Sequence, residues 1–147
     1  MTRRFALIFF CLALLAFGAS AQSRYYCRYC GASAGSVYSL THGKCEHSPL
    51  GSYEGYHEPY DGPIQQRYYC MYCGAGASSL YSLTHSKCEH SSLGAYEGYH
   101  VPYEGGIKSR YYCRYCGEGA SSIYSLTHSK CSHSPLGSYD GYHVPLR

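Results

Sequence analysis

The sequence predicts three small α+β modules in tandem, joined by short linkers, and two observations support this fold class. A period of 43 residues runs through most of the chain, with starts at Arg24, Arg67 and Arg110. Each period has few aliphatic residues but carries three cysteines and three histidines. Chains of about 40 residues usually need disulfides, a metal or association to fold. We therefore expect the cysteines and histidines to hold each module together.

The first 21 residues differ from the rest of the chain. Two arginines precede an apolar run over residues 5–17, and residues 19–21 are the small residues that a signal peptidase accepts. The run is shorter than the roughly 20 residues that span a bilayer, and no second run follows. We interpret residues 1–21 as a signal peptide. The mature chain, from Gln22, is then expected to be secreted into the periplasm or the extracellular space without inserting into a membrane.

Charge and aromatic content narrow the choice of partner. The chain has 12 Lys and Arg against 9 Asp and Glu, without a block of like charge. Binding of nucleic acid requires neutralisation of several phosphates at once, so this composition disfavours nucleic acid. The chain is also rich in tyrosine, with 20 Tyr and no Trp, and its four Phe all lie in the predicted signal peptide.

The three repeats comprise residues 24–66, 67–109 and 110–147, called repeats 1, 2 and 3 below. Repeats 2 and 3 agree at 29 of their 38 shared positions. Repeats 1 and 2 end in stretches rich in Pro and Gly, residues 59–63 and 102–106, which we interpret as linkers. Little aliphatic surface is left for a neighbour to share, so we expect exposed hinges and independent beads instead of a stacked solenoid.

Local structure can be predicted within repeat 1. Residues 25–29 are rich in aromatic residues and suit a short strand, and Gly31 suits a tight turn with positive φ. Ser36 is expected to cap a short helix over residues 37–42, in which apolar residues are three apart. Residues 48–57 are expected to form a turn and then a loop or short strand.

The cysteines and histidines of each repeat follow a spacing typical of zinc sites. In repeat 1 the order is Cys27-x2-Cys30-x14-Cys45, followed by His47 and His57, with His42 three residues before Cys45. A two-residue gap lets both thiolates reach one tetrahedral ion from a single turn. Three cysteines per repeat cannot pair completely as disulfides, whereas three thiolates and one imidazole complete a zinc site. We expect three zinc ions, one per repeat; a disulfide scaffold, which secretion favours, and mixed or redox use are the alternatives.

Spacing alone leaves the fourth ligand open among the three histidines of a repeat. His42 and Cys45 would lie on one face of a helix. In contrast, Cys45 and His47 could not point the same way from a regular helix. A histidine that is not a ligand would be an ordinary polar residue on the surface.

The segment from Tyr25 to Leu40 resembles the first half of a two-cysteine, two-histidine zinc finger. The likeness lies in the Tyr-x-Cys-x2-Cys-Gly run and in the Ser-x3-Leu-Thr run that follows. The segment departs from that family at Ala34, where the family has a core Phe. The next ligand, Cys45, also comes two residues later than the first histidine of a finger.

A closer resemblance, over nearly all of residues 24–147, is to secreted bacterial proteins with tandem Cys-x2-Cys-Gly repeats. Their units run Tyr-x-Cys-x2-Cys-Gly, Ser-x3-Leu-Thr, Cys, Pro-x-Gly, His and a Tyr-Glu-Gly linker. The resemblance implies metal-stapled modules like zinc fingers or zinc ribbons, and it implies no activity because that family has no settled function. It also implies that the histidine before the linker is the fourth ligand. The ligands so predicted are Cys27, Cys30, Cys45 and His57; Cys70, Cys73, Cys88 and His100; and Cys113, Cys116, Cys131 and His143.

These observations favour a secreted, non-enzymatic structural or binding protein. Its tyrosine-rich faces would contact a surface, a glycan or a protein partner, since exposed tyrosines suit such contacts. The alternatives are an extracytoplasmic metal-handling protein and a disulfide-crosslinked extracellular structural protein. An enzyme is disfavoured, because the sequence has no paired carboxylates or nucleophile constellation and a four-ligand site is closed to substrate. The sequence leaves the oligomeric state open.

Overall fold

The computed structural model describes residues 23–93 and 97–147, so the predicted signal peptide lies outside the described residues. Each repeat begins with a two-stranded antiparallel hairpin followed by a short helix. The hairpins pair Tyr25–Tyr26 (β1) with Ser33–Ala34 (β2), Tyr68–Tyr69 (β3) with Gly76–Ala77 (β4), and Tyr111–Tyr112 (β5) with Gly119–Ala120 (β6). The helices are Val37–Thr41 (α1), Gly51–Glu54 (α2), Leu80–Thr84 (α3), Ile123–Thr127 (α4) and Gly137–Asp140 (α5). None of the helices in this part of the chain is long and apolar enough to cross a bilayer.

The start of the first helix is confirmed at the predicted residue. Ser36 has extended backbone with φ −147°, and its side chain accepts a hydrogen bond from the backbone N–H of Ser39, so α1 begins at Val37. Equivalent serines cap α3 and α4 in the same way. These caps satisfy N–H groups that a helix start otherwise leaves unpaired.

Two of the local predictions for repeat 1 are wrong in detail. The first strand ends at Tyr26 and does not reach residue 29, because the chain turns sharply from Cys27. The predicted turn is present over residues 48–50, closed by a bond from the N–H of Gly51 to the carbonyl oxygen of Ser48, but the short helix α2 follows it where a loop or strand was expected. Beyond α2, Tyr56 forms an isolated antiparallel bridge with Lys44.

The interior of each repeat is built around its cysteines. In repeat 1 the only fully buried aliphatic side chain among the described residues is Leu40, which packs with Cys27 and Cys45. Repeats 2 and 3 also bury Leu80 and Ile123, respectively, at the position of Val37, and repeat 3 buries Val144 in addition. Such small cores would not outweigh the entropy of ordering the chain unless another interaction held each repeat together.

The repeats pack against one another, and the prediction of independent beads without a shared surface is wrong. Gly31 of repeat 1 lies directly against the backbone of α3 at Tyr81, so close that a Cβ on Gly31 would clash with it. Gly74 of repeat 2 meets Tyr124 of α4 in the same way. The approach is possible because glycine has no side chain.

Burial shows the extent of this contact. Thr84 and Thr127 are 0% exposed, whereas the equivalent residue of repeat 1, Thr41, is only half-buried. Leu80 is 3% exposed but Val37, its equivalent, is 42% exposed. Repeat 1 therefore lacks, among the described residues, the neighbour that covers this face in repeats 2 and 3.

Aromatic rings complete the surface between repeats. His47 of repeat 1 stacks on Tyr99 of repeat 2, with ring centroids 4.0 Å apart and planes inclined by 4°. On its other face, Tyr99 carries the Nζ of Lys87 at 3.6 Å from the ring centroid. His90 stacks on Tyr142 in the next interface at the same distance of 4.0 Å. The repeats are thus joined by rings and close backbone contacts, together with a few aliphatic side chains such as Leu80 and Ile123.

The second linker is also packed, so the prediction of an exposed hinge is wrong there. Tyr103 is 2% exposed and donates a hydrogen bond through its hydroxyl to the carbonyl oxygen of Leu146. The side chain of Glu104 is 2% exposed and lies between two guanidinium groups, 3.3 Å from Arg28 and 2.6 Å from Arg147. This carboxylate therefore connects all three repeats.

Replacing Glu104 by glutamine is expected to destabilise the stack by about 2 kcal/mol, because a buried charge-assisted contact is lost, while Arg28 keeps its ion pair with Glu58 and Arg147 is half exposed. Denaturant unfolding of the two proteins measures the difference. The matched control is Glu89→Gln, since Glu89 is exposed, and it should change the stability by less than about 0.5 kcal/mol. Equal effects of the two changes would contradict the role of Glu104 as a buried link.

Candidate metal centre

Each repeat brings three cysteines and one histidine together in one cluster. The ligand atoms of each cluster all lie within 4.8 Å of one another. The clusters are Cys27, Cys30, Cys45 and His57; Cys70, Cys73, Cys88 and His100; and Cys113, Cys116, Cys131 and His143. All twelve residues that the sequence predicts as ligands are therefore placed in these clusters.

The separations within a cluster match a tetrahedral zinc site. Cys27 Sγ and Cys45 Sγ are 3.8 Å apart, and the equivalent pairs in repeats 2 and 3 are 3.8 and 3.9 Å apart. Two sulfurs on one tetrahedral zinc ion, with Zn–S distances of about 2.3 Å, are separated by about 3.8 Å. His57 Nδ1 lies 3.3 Å from Cys30 Sγ, close to the roughly 3.6 Å that a sulfur and a nitrogen span on the same ion. The donor set and its spacing therefore fit a divalent metal.

The same distances do not fit disulfides. All nine cysteines in the described part of the chain are free thiols. A disulfide needs its two sulfurs about 2.0 Å apart, far closer than the separation of Cys27 and Cys45. The alternative of disulfides within each repeat has no support in this geometry.

The first two ligands of each cluster are presented by a tight turn. In repeat 1 the N–H of Gly31 donates to the carbonyl oxygen of Cys27 at 2.9 Å, and Gly31 has φ +67° as the sequence predicts. The N–H of Tyr29 donates to Cys27 Sγ at 3.3 Å. The turn thus aims both thiols at one point and supplies a hydrogen bond that favours the thiolate of Cys27.

The third cysteine and the histidine are brought in by backbone pairing. The bridge between Lys44 and Tyr56 is reinforced by a bond from the N–H of Cys45 to the carbonyl oxygen of Gly55 at 2.9 Å. The N–H of His57 donates to the carbonyl oxygen of Gly43 at 3.2 Å. This short antiparallel segment places Cys45 and His57 beside each other although they are far apart in sequence.

Burial closes the clusters on most sides. The first and third cysteines of each cluster are 0–2% exposed, whereas the second cysteine of each is half-buried. Together with the histidine, these cysteines supply the four donors of a tetrahedral ion. A closed set of four ligands is typical of structural zinc sites.

The thiols of one cluster lie so close together that their pKa values shift in opposite directions. The hydrogen bond from the Cys30 thiol lowers the pKa of Cys27 to about 4 against the opposing effect of burial. The same contact with Cys27, together with burial, raises the pKa of Cys30 strongly. One thiolate in the cluster thus disfavours ionisation of the next. A coordinated divalent cation reverses this effect, because it favours every thiolate at once.

The other histidines lie outside the clusters and have different contacts. His42 directs its Nδ1 to the carbonyl oxygen of Tyr38 at 2.8 Å. His47 reaches across to repeat 2, where its Nδ1 lies 3.0 Å from the carbonyl oxygen of Thr84. The structure therefore brings neither of the two alternative fourth ligands of repeat 1 to the cysteines.

Glu118 is a site residue that sequence reasoning missed. Its Oε2 lies 3.3 Å from Nε2 of His143, on the ring nitrogen that faces away from the cysteines. A carboxylate at this position orients a ligating imidazole and raises its basicity. The only signal in the sequence is that Glu118 replaces the alanine found at the same position in repeats 1 and 2, Ala32 and Ala75.

Comparison of the chain with known protein families, curated proteins and solved structures finds no significant match. The resemblance to secreted repeat proteins therefore stays a prediction. What the geometry itself supports is three sites that can each hold one metal ion.

Proposed function

We propose that this chain is a secreted, non-catalytic structural or binding protein whose three repeats are each held together by one zinc ion. The observation that carries the proposal is the set of three closed Cys3His clusters with tetrahedral separations. Soft thiolates and one imidazole are the donors that zinc accepts in structural sites. In small modules of this kind, the free energy of metal binding is also the free energy of folding.

Grooves between the repeats support a binding role. A groove of about 460 Å³ between repeats 1 and 2 is lined by His47, Tyr72 and Tyr99 among other residues. The equivalent groove between repeats 2 and 3, of about 270 Å³, is lined by His90 and Tyr142 and shares Tyr72. Both faces of the Tyr99 ring are covered, by His47 and Lys87, so the groove offers ring edges, hydroxyls and imidazoles that suit hydrogen bonds to a sugar or packing against protein side chains. A glycan or a protein surface is therefore the proposed partner.

Metal handling is the second candidate, and one observation favours it. The third cluster borders an open pocket of about 370 Å³ that is lined by Cys116, His143, His133 and Glu118. An ion there would be more accessible than one in a fully covered site. In that case the site of repeat 3 would exchange its metal ion, while the sites of repeats 1 and 2 would keep theirs.

Metal and thiol counts on the chain from Gln22 to Arg147 test the proposal. We expect elemental analysis to find one zinc ion for each of the three clusters. All nine cysteines should react as thiols once the protein is denatured with chelator. Strong chelation should also abolish the circular dichroism of the fold, because the small cores are insufficient without the ion.

Two other results would reject the proposal in different ways. Protein without metal and with most thiols unreactive would leave disulfides as the staple. Metal that leaves under mild chelation, with the circular dichroism spectrum retained, would identify a metal-handling protein instead of a structural one.

A further inference from the structure

The repeats build the same directional interface twice within one chain. Between repeats 1 and 2, Gly31 and His47 of one repeat meet Tyr81 and Tyr99 of the next. Between repeats 2 and 3, the equivalent residues 43 positions later make the same contacts. One half of this interface always comes from the preceding repeat and the other half from the following repeat.

Repeats 2 and 3 each use one face to contact the repeat before them. On repeat 1 the equivalent face is exposed in the described part of the chain. We define this head face by Val37, Tyr38, Thr41 and Tyr56. Val37 is 42% exposed, whereas its equivalents Leu80 and Ile123 are each 3% exposed. Tyr56 is 51% exposed, and Lys44 Nζ lies over one side of its ring at 3.7 Å. Within residues 23–93 and 97–147, no histidine stacks on the other side of that ring.

Repeats 1 and 2 each use another face to contact the repeat after them. On repeat 3 the equivalent face is exposed in the described part of the chain. We define this tail face by Arg114, Gly117 and His133. A Cβ on Gly117 would meet nothing within 4 Å in the described part of the chain, whereas one on Gly31 or Gly74 would clash with the next helix. His133 is exposed, but its equivalents in repeats 1 and 2 are half-buried under tyrosine rings.

We propose that chains associate head to tail, with the tail face of one copy docked on the head face of the next. The partner is a second copy of this chain, because the two free faces are the two halves of an interface that the chain already makes internally. Transferring the internal contacts places Gly117 against Tyr38 of the next copy and His133 on the ring of its Tyr56. Since the two faces differ and lie on the first and the last repeat, such contacts produce open filaments unless the rotation closes a ring.

Charge agrees with this docking. The interface between repeats 1 and 2 pairs Arg28 with Glu104 at 3.3 Å, whereas the interface between repeats 2 and 3 has Met71 and Arg147 at these positions. The equivalent pair across two copies is Arg114 with Asp61, a guanidinium and a carboxylate that are both exposed in the single chain. The free ends thus carry opposite charges at matching positions.

Sedimentation velocity on the chain from Gln22 to Arg147 tests the proposal. Inside the chain, a short linker imposes an effective concentration of about 1 mM on this contact. We expect the weight-average mass to rise at least about twofold as the protein approaches that concentration. This inference goes beyond the proposed function, but it requires that the repeats are folded. The metal content is therefore measured on the same samples. Loss of metal and loss of assembly are then separate results.

Three single variants locate the contact. Gly117→Asn blocks the tail face with a residue that tolerates positive φ, and Val37→Glu blocks the head face while placing an acid in the first turn of α1, where it is favourable. Each should stay monomeric with its metal retained. The control is Tyr53→Glu, which should assemble normally. Tyr53 is 92% exposed. Its equivalent in repeat 3, Tyr139, is still 89% exposed although repeat 3 packs against repeat 2, so this position lies outside the contact.

A mixture of the two blocked variants distinguishes head-to-tail contact from any symmetric dimer. The intact tail of Val37→Glu can dock on the intact head of Gly117→Asn, so the mixture should form a one-to-one dimer and stop. Wild-type chains that stay monomeric at about 1 mM would overturn the proposal. Blocked variants that assemble alone, or a mixture that stays monomeric, would also overturn it.

Discussion

Replacing Cys88 by serine is expected to remove one metal ion from each chain and to unfold the central repeat. Cys88 is 0% exposed and supplies one corner of the second cluster. Because the apparent binding free energy of structural zinc is about 10–16 kcal/mol, loss of a ligand should destabilise that repeat by more than about 4 kcal/mol. Elemental analysis gives the metal count, and hydrogen exchange locates the unfolded segment.

The stacked arrangement adds a second effect to this substitution. Repeat 2 contacts both neighbours, through Tyr99 on one side and Gly74 on the other. Its unfolding should therefore expose Gly31 and α4 as well, and exchange should rise in all three repeats. A chain of independent beads would lose protection only in repeat 2.

His85→Ala is the matched control for this prediction. His85 is exposed and lies outside the cluster, with its ring 3.7 Å from that of Tyr81. We expect the full metal content and a loss of no more than about 1 kcal/mol. If Cys88→Ser kept the metal content of the wild type while His85→Ala lost an ion, the assignment of the second cluster would be incorrect.

Alanine at Gly31 is expected to cost far more stability than alanine at Gly117, although both glycines follow the second cysteine of a cluster and have positive φ. The φ angles are +67° and +76°, so both substitutions carry a conformational cost of about 1 kcal/mol. Only at Gly31 would the new Cβ strike the backbone of the next repeat. We expect a loss of about 3 kcal/mol for Gly31→Ala and of about 1 kcal/mol for Gly117→Ala.

The two positions share the same turn and a positive φ, so the difference between the two losses reports the contact between repeats. Denaturant unfolding at low protein concentration keeps contacts between chains out of the measurement, and metal analysis verifies that both clusters stay loaded. Equal losses for the two variants would mean that repeats 1 and 2 do not pack together in solution. A loss of metal at Gly31→Ala alone would instead place the damage in the turn of the first cluster.

Local features of the fold could be predicted from the sequence because they depend on neighbouring residues. Ser36 caps α1 through a bond to a residue three positions away, and Gly31 takes the positive φ that the turn between Cys27 and Ala32 requires. The pair Cys27 and Cys30 is likewise set by one turn. The histidine is different, because residues 45 and 57 meet through backbone pairing, which spacing alone did not indicate.

The sequence by itself determined three copies of a cysteine and histidine set, since ligand identity and short spacing are written locally. Only the tertiary structure decided that the copies stack. A count of aliphatic residues missed this because much of the shared surface consists of glycines without a Cβ, stacked rings such as His47 on Tyr99, and one buried carboxylate at Glu104. Each of these residues is ordinary for an exposed linker or loop. Their role depends on a partner 30 or more residues away, which becomes a neighbour only when the repeats fold onto one another.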